Sequence, residues 1–297
     1  MKQLTVYLNG GLGNQMFQFA AGRAIALRNG SDLVLDTWSG FVRDNQYRRH
    51  YELDALPVQA RQATVGERLP IWLYRLENKL HIPPFGTSKK RMYGQFLVEN
   101  EFRFLPEILT TSVSKKAWLV GYWQSPLYFE KYAETLRIEL MPPVPKATKF
   151  LELGAAIRDT DSVALGVRLY EESTDPAAHA REGKIKSTAD INQAIERLRV
   201  QRPSAKFFVF CTHRSRALLD LKLPENTIFA THDDGYEGTI ERLWLLSQCR
   251  HHIITNSSYY WWGAWLSQAL HKDEKQLIFA ADNFINADGI CANWETF

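Results

Sequence analysis

The apolar positions of this chain change period as one moves along it. LTVYLN (4–9) is a short apolar run of β type. QMFQFAAGRAIALR (15–28) spaces Met16, Phe19, Ala20, Ile25 and Leu27 near the helical repeat, and Asn29-Gly30 closes it. LVLD (33–36) is again a strand. This β-α-β start predicts an α/β domain with a parallel sheet. Residues 38–115 are mixed, with basic stretches at Arg48-Arg49-His50 and Lys89-Lys90-Arg91, and the pattern assigns no elements there. AWLVGYW (117–123) reads as a strand and 127–139 as a helix. MPPVPKATK (141–149) carries prolines that disfavour helix and sheet, and it marks the main boundary. The second half alternates cleanly. Strands are predicted at 162–168, 206–212, 227–231, 251–255 and 276–280, and helices at 188–201 (capped by Ser187 or Thr188), 238–249 and 257–270. Two α/β domains are expected, at 1–145 and 150–297. The second is a doubly wound parallel sheet whose ligands bind beyond the carboxyl ends of its strands.

Bulk composition narrows the classes. At 297 residues and 45% apolar, the chain can bury one large core or two ordinary ones. A net charge of +3 is too mild to argue for nucleic acid, although a local basic cluster suffices for a small anion. Cys211, Cys249 and Cys291 are widely spaced, which fits free thiols in a reducing compartment. The N-terminal apolar run is too short for a signal peptide, and no stretch is long enough for a membrane span. The expectation is a soluble cytoplasmic protein. Without a secretory signal, Asn256-Ser257-Ser258 reads as a chance glycosylation match. Of nine tryptophans, three crowd into Tyr259–Trp265, and packing is the expected role of that run.

Three segments carry candidate chemistry. In GGLGNQ, Gly11 and Gly13 begin a dinucleotide fingerprint, but Met16 stands where the third glycine belongs, and no Gly-Lys-Ser/Thr follows to make a P-loop. Asn14 and Gln15 could donate to phosphate or sugar oxygens; a plain tight turn is the alternative. Arg168 follows the apolar strand SVALGV, with Glu171 and Glu172 close behind. An arginine at a strand end suits a two-pronged grip on a pyrophosphate, and a nearby carboxylate could orient it or act as a base. A solvated surface group is the alternative for each. Asn256, Ser257 and Ser258 sit between a strand and a helix, where they could cap the helix or hold a phosphate.

Together, and in this order, these segments resemble one family. GGLGNQMFQFAAGRAIAL resembles the N-terminal signature of the bacterial α-1,2-fucosyltransferases (glycosyltransferase family 11), and GYWQSPLYFEKY (121–132) its G-Y-[FW]-Q-S…Y-F segment. LWLLSQCRHHIITNSSYYWWGAWL (243–266) is similar to its C-terminal signature L-x-L-M-S-x-C-x-H-x-I-I-x-N-S-S-F-S-W-W-G-A-W-L. The resemblance runs from residue 4 to about residue 280. It implies a GT-B-type architecture, two Rossmann-like domains facing a cleft, with an acceptor-side first domain and a GDP-sugar-binding second one. It implies inverting, metal-independent transfer of L-fucose from GDP-β-L-fucose to O2 of a terminal β-galactoside in an oligosaccharide, with no further cofactor. The family's H-x-R-R-x-D motif falls on Gly166–Glu171. Arg168 keeps the first arginine and with it the implied contact to the donor β-phosphate; His, the second Arg and Asp become Gly166, Leu169 and Glu171. The resemblance further implies donor contacts at Gly11, Gly13, Asn14, Gln15, Ser257, Ser258, Asn256 and Tyr259, and Glu171 is the first choice of base. The family's S-D-D near the guanine is replaced by Cys211-Thr212-His213, so Thr212, His213 or backbone groups would have to serve. Arg242 stands where an acidic residue is usual. Two other readings stay open: a GDP-sugar binder that is non-catalytic or has an altered acceptor, and a nucleotide-dependent oxidoreductase, against which the third glycine is absent and Asp36, although it follows a strand, lacks the full fingerprint.

Overall fold

The computed structural model describes residues 2–42, 44–45, 47–69, 88–91, 94–99, 101–168, 185–284 and 286–297. Leu169, Tyr170, Glu171 and Glu172 lie outside the described residues. The chain divides into two compact units, Met1–Leu140 with Asn286–Gly289, and Met141–Ile285 with Ile290–Phe297.

The first unit begins with β1 (Gln3–Tyr7), α1 (Leu12–Asn29) and β2 (Asp32–Asp36). Helix α1 starts three residues before the apolar repeat predicts, and Gly30 ends it in the left-handed conformation. It is buried along most of its length, from Leu12 to Ala26. Residues 38–115 supply β3 (Arg61–Gln62), β4 (Ser88–Arg91) and β5 (Gly94–Val98), followed by β6 (Lys116–Val120). The sheet order is β3-β2-β1-β6-β5-β4, parallel throughout except for the antiparallel β4–β5 pair. Sequence pattern predicts one helix over 127–139. The structure instead has 3₁₀ turns at Pro126–Tyr128 and Glu130–Tyr132 before a short α2 (Ala133–Glu139). Pro126 opens the first turn beneath the Ser125 cap, and the chain leaves helical geometry at Phe129 so that consecutive Tyr128 and Phe129 are both buried. Arg23 on α1 grips both carboxylate oxygens of the buried Glu139 (2.7–3.0 Å), tying α2 to α1.

The second unit contains α3 (Thr148–Arg158), β7 (Ser162–Gly166), α4 (Thr188–Gln201), β8 (Lys206–Phe210), β9 (Ile228–Phe229), α5 (Thr239–Gln248), β10 (His251–Ile254), α6 (Ser258–Leu270), β11 (Ile278–Ala280) and β12 (Glu295–Thr296). Its sheet is parallel in the order β12-β11-β10-β7-β8-β9. Strands β7 and β10 at its centre are buried at every position, and neither alternates apolar with polar residues as a half-exposed strand would. Ser187 caps α4 in a reciprocal box with Asp190. Trp261, Trp262 and Trp265 pack on one another, and Trp261 also packs on Trp294; all four are buried, so the aromatic run is core. None of the three cysteines forms a disulfide.

Candidate functional site

In the first unit the chain leaves β1 through Gly10, whose φ of +73° few other residues adopt, and enters α1 at Gly11. Gly11 provides no side-chain cap and the first turn has no acidic residue. The helix start therefore keeps its positive end without internal neutralisation. Gly13 is buried in that turn. Asn14 is half-buried, and its Oδ1 accepts from Gln124 Nε2 at 2.8 Å. Gln124 belongs to the GYWQS segment, so two of the signature segments meet at Asn14.

Gln15 departs from its expected role as a donor contact. Its side chain is fully buried. Its Nε2 donates to the carbonyls of Gly10 (2.9 Å) and His50 (2.8 Å), and its Oε1 accepts from Glu52 N (3.0 Å). Both amide hydrogens and the oxygen are thus committed to backbone, and Gln15 braces the glycine turn against residues 50–52. One step along a helix turns a side chain by about 100°, which separates Asn14 from Gln15. Sequence reasoning did not single out Arg49. Its guanidinium lies 3.8 Å from where a β-carbon on Gly11 would be, a cation beside an uncapped helix start. The Arg48-Arg49-His50 stretch was the available signal. Asp36 is fully buried, and its carboxylate accepts from the backbone N–H groups of Trp38, Ser39 and Leu69. These three bonds tie the carboxylate to the loop that follows β2 and to Leu69.

In the second unit the carboxyl ends of β7, β8, β9 and β10 lie side by side. Beyond β7, Val167 N donates to the Phe210 carbonyl and Arg168 N to Thr255 Oγ1 (2.9 Å). Thr255 Oγ1 in turn donates to the Gly166 carbonyl (3.0 Å), and Thr255 N bonds the same oxygen. This buried hydroxyl fixes the backbone on which Arg168 stands; the signature leaves its position unspecified, so sequence gave no pointer to it. The Arg168 side chain is half-buried.

Ser257 is the N-cap of α6 and its side chain accepts from Tyr260 N. Ser258 opens the helix. Asn256 Nδ2 donates to the Asn283 carbonyl (2.9 Å), and Tyr259 Oη donates to the Thr239 carbonyl (2.6 Å), joining α6 to the start of α5. The buried Tyr260 donates from Oη to the Val167 carbonyl (3.3 Å). Its ring fills the space over Gly166, where a β-carbon would come within 2.5 Å of the ring. Tyrosine thus occupies the room that a side chain at 166 would need.

Next to this, the Thr212 carbonyl accepts from His232 N. His213 is exposed, with Nδ1 2.8 Å from Asp233 Oδ1. The N–H of Arg214 and the His213 ring hold the Asp233 carboxyl below its ordinary range. Burial pushes the His232 imidazole down, assisted by the charge of Arg242. Arg168, Thr212, His213, Asn256, Ser257, Ser258 and Tyr259 therefore share one sheet edge of the second unit. Gly11, Gly13 and Asn14 share the corresponding edge of the first. Among the described residues no group of three or more His, Cys, Asp or Glu side chains could hold a metal ion, and no helix is long and apolar enough to cross a membrane.

Comparison with known proteins places this geometry. Residues 94–287 match the family model "Glycosyl transferase family 11". An alpha-1,2-colitosyltransferase of Escherichia coli is 30% identical over 275 residues, covering 90% of this chain and 88% of the relative. The O-antigen biosynthesis glycosyltransferase WbnK of Escherichia coli is 26% identical over 282 residues, covering 88% and 89%. Among solved structures, the NodZ alpha-1,6-fucosyltransferase soaked with GDP-fucose superposes with a TM-score of 0.51 at 13% identity, covering 89% of this chain and 92% of that one. At that identity the likeness shows the fold, which is α/β of the GT-B class.

Proposed function

The chain belongs to glycosyl transferase family 11, and from that premise we propose that it is a galactoside α-1,2-fucosyltransferase. It moves L-fucose from GDP-β-L-fucose to O2 of a terminal β-galactoside, with inversion and without a metal ion. The observation that carries the reading is the construction around Arg168. A half-buried arginine is held at a strand end by the Thr255 hydroxyl, beside the N-terminus of α6. Departure of GDP builds negative charge on the β-phosphate. The Arg168 guanidinium and the positive end of α6 meet that charge where other enzymes use a divalent cation. The sugar becomes oxocarbenium-like as the bond to the leaving oxygen lengthens. The acceptor hydroxyl attacks the opposite face in a single displacement and loses its proton; Glu171 is the proposed acceptor of that proton. Asn14, oriented by Gln124, is proposed to touch the donor phosphate or fucose, and Gly11 and Gly13 to let it approach the backbone.

Transfer of colitose is a second reading, favoured by the alpha-1,2-colitosyltransferase that is 30% identical to this chain. One experiment separates the two. The purified protein is incubated with GDP-fucose or the GDP-linked form of colitose, a panel of β-galactosides and excess EDTA, and acceptor mass and GDP release are followed. Gain of a deoxyhexose from GDP-fucose supports the first reading and gain of a dideoxyhexose the second. Binding without transfer would leave a GDP-sugar binder, and a requirement for metal would undo the electrostatic account.

A further inference from the structure

Arg242, in the first turn of α5, is the only arginine among the described residues that is buried, with 6% of its surface exposed. The more exposed Arg23, Arg61, Arg197, Arg214 and Arg250 each pair with a carboxylate. Arg242 has none among the described residues. Of its five N–H donors, one is engaged, Nη2 to the Cys211 carbonyl at 2.8 Å, while Nε is buried without a partner. Burying a guanidinium with no counter-charge is costly unless something completes it.

Its surroundings narrow what that is. The bond to Cys211 puts the guanidinium at the carboxyl end of β8, immediately before Thr212 and His213. Two carboxylates of this edge are already committed. Asp233 accepts from His213 and from Arg214 N, and Asp234 from Arg214 and Thr231. What Arg242 itself presents to this edge is a donor fork with Nε still unpaired. Guanine carries acceptors O6 and N7 on one edge and donors N1–H and N2–H₂ on another, and the guanidinium fork matches the O6/N7 pair. Resting on the GDP-sugar reading above, we propose that Arg242 recognises the donor nucleotide at guanine O6 and N7. Base recognition thereby moves away from the N1–H/N2–H₂ edge, which a carboxylate would have read.

The test is calorimetric binding of GDP, inosine diphosphate (no 2-amino group), 7-deaza-GDP (no N7) and inorganic pyrophosphate to the wild-type chain and to Arg242→Met and Arg242→Lys. The wild type is expected to bind inosine diphosphate within about threefold of GDP, and 7-deaza-GDP roughly tenfold more weakly. In Arg242→Met, GDP is expected to weaken at least tenfold and to lose its advantage over 7-deaza-GDP. Arg242→Lys, lacking the fork, should not restore it. Methionine replaces an uncompensated buried charge with an apolar chain, so the ligand-free melting temperature should hold or rise, which separates lost recognition from lost folding. Unchanged GDP binding in Arg242→Met overturns the proposal. Equal losses for GDP, 7-deaza-GDP and pyrophosphate also overturn it, by assigning the arginine to the diphosphate. A wild-type chain that binds no guanine nucleotide at all instead overturns the donor reading on which it rests.

Discussion

Replacing Gly166 with alanine tests the packing under Arg168 with one methyl group. A β-carbon there would lie 2.5, 2.8 and 2.9 Å from Cγ, Cδ2 and Cδ1 of Tyr260, well inside van der Waals contact. These ring atoms cannot swing aside freely, because Tyr260 is 5% exposed and its hydroxyl holds the Val167 carbonyl. Overpacking of this kind costs about 1–3 kcal/mol, and displacing the phenol puts a further hydrogen bond of about 1 kcal/mol at risk. At about 2–4 °C per kcal/mol for a unit of this size, that corresponds to a fall of roughly 4–16 °C in the apparent melting temperature. The family's C-terminal signature has Ser where this chain has Tyr260, and its H-x-R-R-x-D motif has His where this chain has Gly166. The two departures then form one exchange of volume across a contact. Tyr260→Ala alone leaves a cavity and should cost about 3–5 kcal/mol. In the double variant the overlap is gone, so its cost should fall below the sum of the singles by about 1–3 kcal/mol. The assay is thermal and urea unfolding of the four proteins, with turnover measured alongside. A Gly166→Ala protein that melts within about 1 °C of wild type, or strictly additive losses, would refute the reasoning.

Further consequences are open to direct measurement. Thr255→Val removes the hydroxyl that accepts from Arg168 N and should lower kcat about tenfold, or about 1.4 kcal/mol, with a smaller effect on melting; an unchanged kcat would show that Arg168 needs no such support. Glu139→Ala strands the Arg23 guanidinium and should cost about 3–5 kcal/mol in urea unfolding, and a loss below about 1 kcal/mol would contradict it. His252 is fully buried, with Nε2 donating to the Cys249 carbonyl and Nδ1 without a partner, and burial pushes its pKa down from 6.5 to about 3. The unfolded chain takes up this proton near pH 6.5 and the native chain does not. The stability carried by the neutral ring is complete above that pH and falls by about 1.4 kcal/mol per pH unit below it. His252→Asn should flatten this part of the profile, and identical profiles for the two proteins would remove His252 as the cause.

In the second unit β7, β8, β10 and β11 are buried at almost every position and α4 buries one face (Ile191, Ala194, Ile195 and Leu198), so these elements are legible in the sequence, whereas β12, two exposed residues, is not. Nor are residues 38–115, since β3 is two exposed residues and β4, Ser-Lys-Lys-Arg, is polar throughout. Backbone pairing makes both strands, and hydrophobic pattern does not record it. The candidate site divides along similar lines. Arg168 and Ser257 follow strands directly, where a parallel sheet puts its chemistry. Gln15 is adjacent to Asn14 in sequence, but the helix turns it inward. Thr255 acts through its hydroxyl on a neighbouring strand, a relation that only the β7–β10 register reveals.

The central claim is that Arg168 stabilises charge on the departing diphosphate. Steady-state kcat on GDP-fucose and a β-galactoside, compared between wild type and Arg168→Ala, tests it most directly. A loss of at least a hundredfold, about 3 kcal/mol, is the expected result. A variant that keeps kcat within about threefold of wild type would contradict the account.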